Sequence, residues 1–101
     1  MKVLFICNQN RHRSPTAAEV FRCKFETKSA GLYSEKSVSA KEIAWADIIV
    51  VMEEEQRVEL AKRFPELILK KKIVSINVPD TFFYKQPELI KLLKKKEAEL
   101  A

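Results

Sequence analysis

"CNQNRHRSP", residues 7–15, follows directly on the apolar run "VLFI" of residues 3–6. A continuous apolar run of strand length, here KVLFIC, marks a strand buried on both faces, as in a parallel sheet. Ser14 and Pro15 then open a helix, the hydroxyl as N-cap and the proline at the first helical position. The stretch therefore joins a buried strand to a helix through a loop crowded with hydrogen-bond donors.

Outward from this junction, strand and helix signals alternate to the end of the chain. Ala17, Phe21 and Phe25, spaced by four, are expected to face the sheet. TKSAG reads as a short second strand closed by Gly31. Ser39 with Glu42 forms a capping-box pattern ahead of the short helix AKEIAW. DIIVVM is the third strand. EEEQRVELAKRF is a charged helix expected to bury Val58 with Leu60 and Ala61, and to end at Pro65. KIVSINV is the fourth strand, PDTFFYKQ a loop, and Pro87 opens a last helix with Leu89, Ile90, Leu92 and Leu93 on one apolar face. This order predicts an α/β fold, a four-stranded parallel sheet with helices on both faces, as a single domain over residues 1–101. In such sheets ligands bind beyond the carboxyl ends of the strands at the topological switch point, and Cys7 falls there.

Composition narrows the class. The 101 residues are 47% hydrophobic and 33% charged, which fits one soluble globular domain and excludes a disordered chain. The net charge of +5 owes much to the KKK runs at 70–72 and 94–96. Both lie near predicted helix ends, where lysines complement the dipole and stay solvated, so the charge does not call for a nucleic-acid partner. The stretch IAWADIIVVM is interrupted by Asp47 and too short to span a membrane, and the N-terminus lacks a signal-peptide core. Cys7 and Cys23 make no disulfide framework. A reduced, cytoplasmic protein is expected, with Cys23 packed and inert between Phe21 and Phe25.

The loop spacing is C-x5-R followed by serine. Between a strand end and a helix start, such a loop can turn its backbone N–H groups inward as an anion nest. A phosphate fits there, with the Arg13 guanidinium binding two of its oxygens in fork geometry. The same positive surroundings favour a thiolate at Cys7, and Ser14 Oγ can donate to the sulfur.

These residues resemble a family. VLFICNQNRHRSPTAAE is similar to the phosphate loop and first helix of the low-molecular-weight protein tyrosine phosphatases, and TKSAG, WADIIVVM and VPDTFFY follow in that family's order. The resemblance covers most of the chain and is strongest to a short branch of the family. It implies a flavodoxin-like fold, a phosphocysteine intermediate and no metal or other cofactor. Cys7 would be the nucleophile, Arg13 the phosphate clamp and Ser14 the thiolate's partner, with Asn8, Gln9, Asn10, Arg11 and His12 completing the substrate loop. Asn10 matches the asparagine that shapes the turn. The chain departs from the pattern at Gln9, where glycine is usual and would tolerate a left-handed angle. It departs again at His12, often a second cysteine; His12 would either stabilise the thiolate or pack and cap within the loop.

Hydrolysis also needs a proton donor for the leaving oxygen. Of the two aspartates, Asp47 precedes its strand and lies at the amino edge of the sheet, whereas Asp80 follows the fourth strand on the side of Cys7. Asp80 is the expected general acid, although the family order Asp-Pro is here Pro79-Asp80. Phe82 and Phe83 would wall the site and favour an aryl phosphate, with Tyr84 and Tyr33 as further rim candidates. The expected substrates are a phosphorylated protein or a small aryl phosphate, with inorganic phosphate as product. The alternatives are a cysteine phosphocarrier of the sugar-transport IIB type and a non-catalytic phosphate-binding protein. Arg13 with Asp80 argues against the carrier, and the lack of a suitably placed second thiol argues against an arsenate reductase.

Overall fold

The computed structural model describes residues 1–100. Strand β1 (Lys2–Cys7) leads to α1 (Arg13–Val20), then β2 (Glu26–Gly31), α2 (Ala40–Trp45), β3 (Ile48–Val51), α3 (Glu54–Arg63), α4 (Pro65–Leu69), β4 (Lys72–Ser75) and α5 (Pro87–Lys95), with a closing 3-10 turn over Glu97–Leu100. The sheet order is β2-β1-β3-β4 and every pairing is parallel. This is the flavodoxin-like winding, in which the chain leaves β1 on one side for β2 and returns on the other for β3.

The apolar runs explain the layering. Alternate residues of a strand point to opposite faces, so an unbroken run must be covered twice. Val3, Phe5 and Cys7 of β1 join Ile48 and Val50 of β3 in one core with Ala17, Phe21, Leu89 and Leu93. Leu4, Ile6, Ile49 and Val51 join the other, with Ile43, Val38 and Leu60. Helices α1 and α5 thus cover one face, and α2 with α3 the other. Each fully buried large side chain contributes about 1.5–3 kcal/mol by leaving water.

The capping box at Ser39 and Glu42 is present, and the lysine runs sit where expected, Lys70 and Lys96 at helix C-caps. Four expectations are corrected. Helix α1 starts at Arg13 with His12 as N-cap, so Ser14 is inside the first turn and its hydroxyl is free for the sulfur. In α3, Val58 is 51% exposed and Ala61 is also exposed, while Gln56 and Leu60 turn inward. Pro65 does not simply end a helix but begins α4. Cys23 is exposed, beyond the last turn of α1 rather than packed within it. Among the described residues no helix is long and apolar enough to cross a membrane.

Candidate active site

Cys7 ends β1, next to both β2 and β3, and the chain then turns through residues 8–12 into α1. Two groups address its sulfur: the Asn10 N–H donates to Sγ at 3.2 Å, and Ser14 Oγ lies 2.9 Å away. Ser14 Oγ also reaches Asn10 Oδ1 at 3.0 Å and the Ala30 carbonyl at 3.4 Å. Its placement in the first helical turn, fully buried, holds it there.

The left-handed residue of the loop is Asn10, with φ 55°, and Gln9 is not in that region. The loop therefore needs no glycine at position 9, and asparagine is among the few residues that tolerate the angle it does need. The glycine that matters is elsewhere. A Cβ on Gly31 would lie 3.0 Å from both Asn10 N and the Gln9 carbonyl carbon, and 2.7 Å from Ser34 Oγ. The bare end of β2 is what lets the loop pass over it.

Arg13 is 2% exposed, and its Nη1 donates to Glu53 Oε1 at 2.6 Å and to the Val78 carbonyl at 2.8 Å. Asp80 Oδ1 lies 3.7 Å from Nε. Both protons of Nη1 are thereby committed, which leaves the Nε–Nη2 edge as the fork for an oxyanion. Glu53 is fixed in turn by its own helix start. Gln56 Oε1 accepts from the Met52 and Glu53 amides, and Gln56 Nε2 donates to Asn8 Oδ1 at 3.0 Å.

Cys7, Gln9, Arg11, His12, Arg13, Asp80, Phe82 and Phe83 line one cavity of ≈ 380 Å³ together with Thr81. Asn8, Asn10 and Ser14 do not line it; their side chains bind Gln56, Ser14 and the sulfur, holding the loop from behind. Asp47 is at the far edge, accepting from the Lys2 amide. Tyr33 lies against Arg63, and Tyr84 bonds to Glu19. His12 makes no thiolate contact: its Nδ1 accepts from the Tyr84 N–H at 3.0 Å, and its ring meets Phe83 edge-on. Sequence reasoning missed Glu53, Gln56 and Thr81. The signal for Glu53 was its position directly after a buried strand, at the same sheet edge as Cys7. Among the described residues no group of three or more His, Cys, Asp or Glu is placed to hold a metal ion.

No family model matches the chain, and neither does any curated protein sequence. Solved structures do. A low-molecular-weight phosphotyrosine phosphatase from Vibrio cholerae O395 superposes with TM-score 0.82 at 17% identity, covering 99% of this chain and 94% of that one. The chain has the low-molecular-weight phosphatase fold. The protein tyrosine phosphatase of T. tengcongensis aligns at TM-score 0.78 and 22% identity over 99% of this chain and 95% of its own. The YwlE arginine phosphatase from Geobacillus stearothermophilus aligns at 0.77 and 20% over 98% and 87%.

Proposed function

We propose that the protein is a cysteine-dependent phosphomonoesterase of the tyrosine phosphatase type, working as one domain over residues 1–101 without a metal. The observation that carries this reading is a sulfur served by an amide and a hydroxyl, in one cavity with a buried guanidinium and a carboxylate. A binding protein has no use for that thiol, and a phosphocarrier none for the acid that promotes departure of an alcohol.

In the first step the Cys7 thiolate attacks phosphorus; the S–P bond forms and the P–O bond to the substrate breaks. The Asp80 carboxyl gives its proton to the departing oxygen. Loop amides and the Nε–Nη2 edge of Arg13, which Asp80 approaches only at 3.7 Å, hold the equatorial oxygens as charge builds on them. In the second step Asp80, now a carboxylate, takes a proton from water as the water oxygen attacks phosphorus. The S–P bond breaks, and phosphate and the thiolate are released. Asp80 is 59% exposed at its side chain, within reach of both alcohol and water.

Phe82 and Phe83 favour an aryl phosphate, so a phosphotyrosine protein is the substrate class proposed, and the cytoplasm the proposed compartment. The arginine phosphatase among the structural neighbours makes phosphoarginine the comparison substrate. The test is hydrolysis of 4-nitrophenyl phosphate at mildly acidic pH under reducing conditions. Cys7→Ser should abolish turnover and retain oxyanion binding, and Asp80→Ala should lower turnover on the order of 10²–10⁴-fold. Normal activity in Cys7→Ser would sink the mechanism. A stable phosphocysteine without turnover in the wild type would favour the carrier.

A further inference from the structure

We propose that one stripe along α1 and its N-cap, formed by His12, Thr16 and Glu19, is a positioning device that holds the aromatic wall over the cavity and so sets the preference for a flat aryl group beside the phosphate. This deepens the phosphomonoesterase reading and rests on it.

The three residues lie at helical spacing, four and then three apart, so they share one face. Each grips the segment that follows Phe83. His12 Nδ1 accepts from the Tyr84 amide at 3.0 Å, and Thr16 Oγ1 accepts from the Lys85 amide at 2.9 Å. Glu19 accepts from the Tyr84 hydroxyl at 2.5 Å and pairs with Lys85 Nζ at 3.0 Å. Thr16 is fully buried and donates its own proton to the His12 carbonyl at 2.6 Å, which aims the hydroxyl's lone pair at Lys85. Lys85 itself is in the left-handed region, at φ 56°, a conformation an unattached lysine would leave.

The wall needs such a hold. Phe82 is packed against the core beneath it, but Phe83 is 72% exposed, and Tyr84 and Lys85 are also exposed. A loop with so little apolar burial sits at the low-stability end of a fold unless polar contacts fix it. Gln86 closes a local turn on the Phe83 amide and carbonyl. The contacts that tie this turn to the rest of the molecule come from α1 and its N-cap, the helix end that also carries Arg13. The phosphate clamp and the aromatic wall are thereby referenced to one rigid element.

The test is binding, which separates the latch from catalysis. Phenylphosphonate and inorganic phosphate are titrated into wild type, Thr16→Val, Thr16→Ser and Glu19→Gln, with amide exchange followed at Tyr84 and Lys85. Thr16→Val should weaken phenylphosphonate roughly fivefold and phosphate by less than about twofold, the scale of one lost hydrogen bond. Exchange at Lys85 should accelerate in that variant. Thr16→Ser should behave as wild type, and Glu19→Gln should repeat the split more weakly. Equal weakening of both ligands, no change in either, or unchanged Lys85 exchange would overturn the proposal. Wild type that binds phenylphosphonate yet never hydrolyses 4-nitrophenyl phosphate would defeat the phosphatase reading alone, the affinity split still deciding the latch. Wild type that binds neither ligand would overturn both.

Discussion

The hydroxyl proton of Ser14 has more acceptors than it can serve, and the state of the sulfur decides among them. With Cys7 as thiol, S–H can donate to Ser14 Oγ while that hydroxyl donates to Asn10 Oδ1; with Cys7 as thiolate, the hydroxyl turns to the sulfur. A single rotation thus follows the chemistry without moving the backbone. The ionisable groups of the latch have a definite sign as well. The Tyr84 hydroxyl, and after it Lys85, lower the Glu19 pKa below the usual carboxylate value. The Glu19 contribution is therefore present above the ordinary carboxylate range and lost as pH falls through the depressed value. The bond to Glu19 raises Tyr84 and Lys85 in turn. Their contributions hold below the ordinary tyrosine and lysine values and vanish as pH rises through the raised ones. In a Tyr33→Phe background, which leaves Tyr84 as the sole tyrosine, the ultraviolet phenolate titration should show a midpoint above that of an ordinary tyrosine. Adding Glu19→Gln should move that midpoint down, and an unmoved midpoint would mean the pair does not form in solution.

Among the elements, the loop of residues 8–12 and the end of β2 are one construction. Gly31 makes no turn and has no positive φ; it serves by having no side chain under Gln9 and Asn10. Gly31→Ala should cost about 1–3 kcal/mol of stability, as small-to-large changes in packed sites do. Turnover should fall by roughly an order of magnitude or more, because the displaced backbone carries the Asn10 amide that serves the sulfur. Thermal melting alongside steady-state kinetics would check this; a large stability loss with full activity in the surviving fold would argue against it. Strands β1 and β3 and the loop were legible because unbroken apolar runs admit few alternatives. Helix α3 was not. Val58 looked like its buried residue, yet Gln56 holds the inward position, since a polar side chain whose amide and carbonyl are both satisfied can be buried without penalty. Nothing in local periodicity announces that satisfaction.

For the molecule as a whole, the two inner strands, β1 and β3, each carry both cores, so a cavity under either face should be felt globally. Leu4→Ala, in a fully buried side chain on the α2–α3 face, should cost about 2–5 kcal/mol in urea unfolding. A loss well under that would mean the face collapses around the gap. The same long-range geometry explains which parts of the site could be read beforehand. Asp80 was legible because strand direction alone puts it at the edge shared with Cys7. Strand direction puts Glu53 at that edge too, but its pairing with Arg13 could not be read, because it depends on the register that sets Ile6 beside Val51 and so brings the end of β3 to the guanidinium. Three-dimensional placement also divides the two cysteines: Cys7 is buried on the wall of the cavity, and Cys23 is out on the surface. On the proposed reading, a small anionic alkylating agent should enter the cavity and reach the first, whereas a bulky neutral dye should couple faster to the second. The molecule thus carries its own attachment point for immobilisation or fluorescence, at a thiol spatially distinct from the one in the cavity it would report on.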